Sequence, residues 1–252
     1  MRNKIITNQD FNKLINENIS MLPLYIDKVE TKNDDKSKQR LLYRIYDYLM
    51  EISIAHYSKG SEKYIVSDYV KKTVIAFENG FKYQSRPNGV YGAADHLLWT
   101  ISLTLLCGLD SDYFNKIVKI LKRDEINDTL INFIITSKVP EWNGKNGWIQ
   151  ESPYIRLQPI IDIEKEEEGI LLIKNYLENI WYQEHADDEL PSYWVDLHKK
   201  SKDLPRNSLN YHPDNVFFGY WAWETAAIVK IKGWNDESLK DVNYYPYDAV
   251  HW

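Results

Sequence analysis

The stretch YWAWETAAIVKI, residues 220–231, places one acidic side chain in an otherwise apolar helical pattern. At helical spacing, Glu224 shares a face with the apolar residues around it. That face contains Phe217, Tyr220, Trp221, Glu224, Ala227, Ile228 and Ile231. A carboxylate buried alone is strongly destabilising, so Glu224 must find a cation, find several donors or become neutral. The available partners are Arg156, His198, tyrosine hydroxyls and tryptophan indole nitrogens.

The sequence leaves two roles open for Glu224. As the acid or base of a helical enzyme, it would need an open cleft and a second carboxylate opposite it. No other carboxylate in the sequence lies in a comparable apolar stripe. We therefore predict a structural role, since most perturbed carboxylates outside clefts belong to ion-pair networks.

Asp95 and His96 present a similar choice at the head of the apolar run LLWTISLTLLCGL, residues 97–109. These two residues could form a catalytic dyad. Alternatively, Asp95 caps the helix or pairs with His96 or Arg44, which requires no special chemistry. We predict the capping or pairing role.

Helical periodicity accounts for most of the chain, and no segment alternates convincingly as a strand. The pattern predicts an all-α fold of two helical domains packed into one body, residues 1–122 and residues 123–252. Gly60 and Gly80 are placed to end the second and third helices. The run of residues 97–109 is shorter than the roughly 20 residues needed to cross a bilayer, so it predicts a helix buried on all sides.

Composition favours a globular protein, with 44% hydrophobic and 27% charged residues in a chain of 252. The single cysteine, Cys107, excludes a disulfide within the chain and favours a reducing compartment. The first 18 residues contain no continuous apolar segment of the kind found in secretory signal peptides. We therefore expect a soluble cytoplasmic protein with no membrane partner.

The common catalytic and cofactor motifs are absent from the sequence. It contains no glycine-rich phosphate loop, no G-x-S-x-G, no H-E-x-x-H and no paired C-x-x-C. The acids and histidines near residue 187 match no recurring metal-ligand spacing. That set contains His185, Asp187, Asp188, His198 and His212. We expect neither a metal nor a cofactor.

Charge is distributed unevenly along the chain. Residues 1–125 contain 19 Lys or Arg against 16 Asp or Glu, whereas residues 126–252 contain 12 against 21. Within the second half, two acidic clusters flank one predicted helix. They contain Glu164, Glu166, Glu167, Asp187, Asp188 and Glu189. Such a surface would repel nucleic acid and attract a basic partner, and Tyr182 and Tyr193 are aromatic candidates for anchoring that partner.

The same acidic clusters also have a structural interpretation. Carboxylates at a helix N-terminus are favoured by the helix dipole, which applies to the run EKEEEG at residues 164–169. Asp187 or Asp188 could cap the next helix. Either reading is compatible with the sequence, because charged runs are often solvated faces.

The motif FFGYWAWETAAIVKIKGWNDESL, residues 217–239, is followed by YYPYD at residues 244–248. Together they resemble the C-terminal domain of the PoNi immunity proteins, and SYWVDLHKKSK at residues 192–202 fits the same domain. The resemblance is best over residues 124–252. The N-terminal half resembles the family's helical N-terminal domain in length, in helix pattern and in the buried helix near Leu97.

This resemblance implies an all-α, non-enzymatic inhibitor that binds a cognate PoNe-type DNase toxin in the cytoplasm, without a cofactor. It implies that the shared motif residues hold the fold together: Tyr220, Trp221, Glu224, Tyr247 and Asp248. The acidic residues, Tyr182 and Tyr193 then become the candidate partner-binding surface. A helical enzyme using Glu224 and a general interaction scaffold remain the alternatives, and the sequence does not indicate the oligomeric state.

Overall fold

The computed structural model describes residue 2 and residues 7–83, 91–185 and 218–252, with the side chains of residues 91–93 left out. These residues form α-helices, short 3-10 and π-helical turns and loops, without a strand, which confirms the all-α prediction for the described part. The helices of the N-terminal half are α1 (Asn8–Thr31), α2 (Asp35–Lys59), α3 (Lys63–Gly80), α4 (Tyr91–Leu106) and α5 (Ser111–Arg123). Those of the C-terminal half are α6 (Thr129–Thr136), α7 (Gln158–Asp162), α8 (Glu166–Tyr176), α9 (Tyr182–His185), α10 (Trp223–Lys232) and α11 (Tyr247–Val250).

Local sequence signals define most helix ends. Thr7 and Asp10 form a capping box at the start of α1, and Asp34 caps α2 by accepting a hydrogen bond from the Ser37 backbone N–H. Gly60 ends α2 in the left-handed conformation at φ 93°, as predicted. Gly80 differs from its prediction, because it is the last residue of α3 rather than a cap beyond it. A Cβ atom at Gly80 would collide with the Leu42 backbone, so this glycine allows α2 and α3 to pack closely.

The apolar run forms α4, and its described side chains from Leu97 to Leu106 are buried. This confirms the prediction of a helix buried on all sides. None of the described helices is both long enough and apolar enough to cross a membrane. Helix α4 contacts α3, α5, α6 and, most extensively, α10.

The helix predicted between the two acidic clusters is confirmed, because α8, a π-helical turn and α9 follow one another without a break from Glu166 to His185. Helix α7 ends at Asp162, and α8 begins at Glu166. Leu177–Trp181 then forms a π-helical turn before α9. Gly169 on α8 lies against the ring of Trp234, which a Cβ atom would strike, so α8 packs tightly against the segment that follows α10.

The stretch that carries Glu224 is more deeply buried than its periodicity indicates. Helix α10 begins only at Trp223, so Tyr220 and Trp221 precede it and do not continue its face. Every residue from Trp221 through Val229 is buried, whereas Ile231 is only partly buried. The prediction of a single apolar face was therefore wrong: α10 is surrounded by protein over most of its length.

The two halves share one continuous hydrophobic core, whose members range from Tyr46 on α2 to Ala249 on α11. The aromatic C-terminal segment packs back on the body: Tyr245 is buried, and the ring of Trp252 lies edge-on to Tyr57 with centroids 5.4 Å apart. A boundary at residues 122/123 falls at the end of α5 and remains a prediction, since a continuous core does not divide the chain there.

Candidate functional site

The first acidic cluster lies on the surface at the start of α8. Glu164, Glu166, Glu167 and Glu168 are all exposed, and we call these four residues the acidic face. Glu164 pairs with Lys232, whose Nζ lies 3.0 Å from Oε1 of Glu164. Among the described residues, no cation lies within ion-pair distance of the other three carboxylates. Within the described part of the chain, three of the four carboxylates of the acidic face are therefore exposed without an ion-pair partner.

An exposed leucine lies beside the acidic face, and our sequence reading did not single it out. The side chain of Leu171 is 66% exposed, one helical turn beyond Glu167 and Glu168 on α8. The inward positions of α8 are Ile170 and Ile173, so helical spacing directs Leu171 away from the core. The exposure of Leu171 could therefore have been predicted from the spacing of the apolar residues on α8. Leu171 adds an apolar contact point to a charged surface.

The aromatic candidate Tyr182 is only partly exposed. Its ring stacks on Tyr244 at 5.3 Å and meets the edge of Tyr220 at 5.9 Å. Burial, together with the nearby Tyr182, raises the pKa of Tyr220 to about 12. Tyr182 thus belongs to an aromatic cluster next to the core and offers only part of its ring to a partner. The remaining candidates, Asp187, Asp188, Glu189 and Tyr193, lie outside the described residues.

Glu224 has no solvent-exposed surface. Its Oε1 accepts a hydrogen bond of 2.8 Å from the indole Nε1 of Trp181. Burial raises the pKa of Glu224 to about 8, because it penalises the charged carboxylate relative to the neutral acid. Arg156 instead pairs with Glu184, and His198 lies outside the described residues. An acid or base in an open cleft would need solvent access, which Glu224 lacks.

A buried polar network connects the two halves close to Glu224. Asp95 on α4 accepts a hydrogen bond from the hydroxyl of Tyr154, and Tyr154 Oη lies 3.3 Å from Nε2 of His185. The other ring nitrogen of His185 lies 2.6 Å from the Trp181 carbonyl oxygen. Glu224, bonded to Trp181, thereby joins the same network. The sequence had not indicated that Asp95 and Glu224 lie close together.

The predicted pairing of Asp95 with His96 or Arg44 was wrong, because both of these residues contact Asp47. Arg44 contacts Asp47, with Nη1 2.8 Å from Oδ2. His96 also faces Asp47, with Nδ1 3.6 Å from Oδ1. The partners of Asp95 come instead from the C-terminal half. They are Tyr154, which lies just before α7, and His185 at the end of α9.

Three further residues of the shared motif, Trp221, Tyr247 and Asp248, make side-chain hydrogen bonds. The indole Nε1 of Trp221 donates to Ser58 Oγ at 2.8 Å, and its ring meets the edge of Tyr57 at 5.0 Å. Asp248 accepts a hydrogen bond of 2.5 Å from Nε of Arg2. The hydroxyl of Tyr247 donates to Glu237 at 2.6 Å. Trp221 is buried, whereas Tyr247 is partly buried and Asp248 is exposed, so the role of these residues in holding the fold together stays a prediction.

The described residues contain no group of three or more histidine, cysteine or acidic side chains placed to hold a metal ion. The arrangement around Glu224 is a closed interior network, and the acidic face is an open surface. Of the two, only the acidic face is accessible to a macromolecular partner.

Comparison with solved structures shows a similar fold in the crystal structure of protein PA2201 from Pseudomonas aeruginosa. The TM-score is 0.72 at 14% sequence identity, and the similarity covers 99% of this chain and 89% of that one. At this identity, the similarity concerns the fold alone. No curated protein sequence matches the chain.

Two family models match the chain, one in each half. The model for the N-terminal part of PoNe immunity proteins (PoNi) matches residues 2–119, and the model for the C-terminal part matches residues 126–249. Together they cover nearly the whole described fold, from Arg2 to Ala249. The chain therefore belongs to the PoNe immunity protein (PoNi) family.

Proposed function

We propose that this protein binds a cognate PoNe-type DNase toxin in the bacterial cytoplasm and neutralises it without catalysis. The observation that carries the proposal is the family match over both halves of the chain. The burial of Glu224 supports a role without catalysis, because a substrate in solution could not contact this carboxyl group.

The acidic face is our proposed docking surface for the toxin. A nuclease holds DNA with basic residues, because phosphate contacts require lysine and arginine. Uncompensated carboxylates on α8 would attract that basic surface and occupy it, so DNA is excluded by occupancy and charge. We propose the same binding role for Asp187, Asp188, Glu189 and Tyr193, which lie outside the described residues.

Leu171 is the proposed apolar anchor of this surface. Charge complementarity mainly raises the association rate, whereas affinity depends on a few buried anchors. The 66% exposed side chain of Leu171 lies within one helical turn of Glu167 and Glu168, where a partner could bury it. Tyr182 offers a smaller contact, because part of its ring is already covered by Tyr220 and Tyr244.

Replacing Leu171 by aspartate is expected to weaken toxin binding about tenfold or more through faster dissociation, because an anchor of this size contributes roughly 1–3 kcal/mol. The measurement is the dissociation rate by surface plasmon resonance. The matched control is Leu24→Asp, which changes a 52% exposed leucine on α1 in the other half. Equal dissociation rates for the Leu171→Asp and Leu24→Asp variants would show that Leu171 is not in the interface.

The proposed function is tested by co-expression with a candidate cognate PoNe-type DNase. We expect cells that carry both proteins to survive, cells that carry the toxin alone to die, and the two proteins to purify together. Survival without a complex, or death despite good expression of this protein, would contradict the proposal.

A further inference from the structure

The buried network around Glu224 contains several polar atoms that have no hydrogen-bond partner among the described residues. They are Oε2 of Glu224, Oη of Tyr176 and Oε1 of Gln150, each with almost no accessible surface. Glu224 and Tyr176 are themselves fully buried side chains. Leaving a buried polar atom unpaired destabilises the folded state, so partners for these atoms are strongly favoured.

These atoms belong to one region of the fold. Tyr176 directly precedes the π-helical turn Leu177–Trp181, and Trp181 at its end donates to Oε1 of Glu224. A π-helical turn has more residues than an α-helical one, so it brings Tyr176 and Trp181, five residues apart, to the same buried side. Gln150 donates to the Ser152 backbone carbonyl, and its side chain is near enough to Asp95 to lower the pKa of that carboxyl group.

The electrostatic coupling between these groups agrees with that placement. Burial raises the pKa of Tyr176 well above its usual value, and the charge of an ionised Glu224 would raise it further. Burial likewise raises the pKa of Asp95 and, with the nearby Asp95, that of Glu224 to about 8. Burial and the proximity of a second acid, Asp95, favour protonation of the Glu224 carboxyl group.

We infer that Glu224 and Tyr176 bind an ordered water molecule inside the core, with Glu224 present as a neutral acid. A buried water needs two to four polar partners, and it can donate and accept at the same time. The protonated oxygen of Glu224 donates to this water, and Tyr176 Oη takes up its second hydrogen bond. The water thereby satisfies both side chains and links α8 to α10.

The other titratable groups around Glu224 in the described part of the chain define what can change with pH. They are Asp95 on α4, Tyr154 in the turn before α7, Tyr176 on α8, and Glu184 and His185 on α9. Since the folded pKa of Glu224 is above the unfolded value near 4.5, its contribution to stability is complete below that value and is lost as the pH rises through about 8. Asp95 makes stability depend on pH in the same direction. The difference in pH dependence between the wild-type protein and Glu224→Gln therefore reports on Glu224 alone.

The direct experiment is a crystal structure of the full chain at high resolution. We expect a water peak within about 3 Å of both Glu224 Oε2 and Tyr176 Oη. A direct hydrogen bond between these two oxygens, or a bound ion between them, would overturn the inference.

A thermal-unfolding series tests the protonation state and the shared water independently. At pH 6, Glu224→Gln is expected to keep nearly the wild-type Tm, because glutamine preserves one acceptor and one donor, whereas Glu224→Leu loses several degrees. Between pH 5 and pH 8.5, the Tm of the wild-type protein should fall more than that of Glu224→Gln. Tyr176→Phe combined with Glu224→Leu should lower Tm by less than the sum of the single losses. A Gln variant as unstable as the Leu variant at pH 6, or fully additive losses, would overturn the inference.

Discussion

Reversing Glu164, Glu166 and Glu167 to lysine is expected to slow association with the cognate nuclease by about tenfold or more at low salt. The three carboxylates are exposed at the start of α8, and their replacement changes the net charge from −6 to 0. At high salt the difference should shrink, because exposed charges are screened beyond a Debye length of about 3 Å at 1 M. The measurement is the association rate by stopped flow across a salt series.

Two further variants make this result specific. The same reversal at Asp27, Glu30 and Asp35, which are exposed in the N-terminal half, provides an equal change in net charge away from the acidic face. Lysine in the first turn of α8 also opposes the helix dipole by about 0.3–1 kcal/mol per residue, so the Tm of each variant is measured alongside. If both reversals slow association equally, net charge matters and the acidic face does not.

Trp223→Ala is expected to lower the free energy of unfolding by about 3–5 kcal/mol. Trp223 is among the largest fully buried side chains, and its ring meets the edge of Tyr57 on α2 at 4.8 Å. Its removal leaves a cavity where the aromatic helix α10 contacts the N-terminal half. The measurement is chemical denaturation with urea, which gives the free energy by linear extrapolation.

The control for this prediction is Trp148→Ala, which removes the same side chain from a partly exposed position. It should cost clearly less than Trp223→Ala. If Trp223→Ala yields no folded protein, Trp223→Phe, which keeps part of the contact with Tyr57, is measured in its place and should still cost more stability than Trp148→Ala. A stability cost at Trp223 no larger than at Trp148 would contradict the role of α10 in joining the halves.

The features predicted well from the sequence are those set by neighbouring residues. Helical periodicity gave the all-α fold, and Gly60 ended α2 as expected. The buried helix α4 was recognised because its apolar run has no polar face. Each of these signals acts within one or two helical turns, so a single sequence contains it.

The features that were missed depend on contacts between distant residues. Trp181 lies 43 positions before Glu224, and Tyr154 lies 59 positions after Asp95, so spacing could not pair them. Gly80 resembled a cap because the close approach of Leu42 is not visible in the sequence. The start of α10 at Trp223 was also missed, because apolar residues before a helix imitate its buried face.

For the candidate site, the sequence identified the exposed acids of α8 but ranked an aromatic residue above the leucine beside them. Tyr182 was proposed from residue type, and its stacking on Tyr244 could not be foreseen across 62 positions. Leu171 could have been found, since its neighbours Ile170 and Ile173 already occupied the buried side. Exposure on a helix follows from the whole pattern rather than from one residue's chemistry.

The most direct test of the central proposal is a titration of the purified cognate nuclease with this protein, scored by the rate of DNA cleavage. A non-catalytic inhibitor is expected to reduce the rate in proportion to its amount and to abolish it near one equivalent. Complete inactivation by far less than one equivalent, increasing with time, would instead reveal an enzyme acting on the toxin, and undiminished cleavage at excess inhibitor would contradict neutralisation by binding.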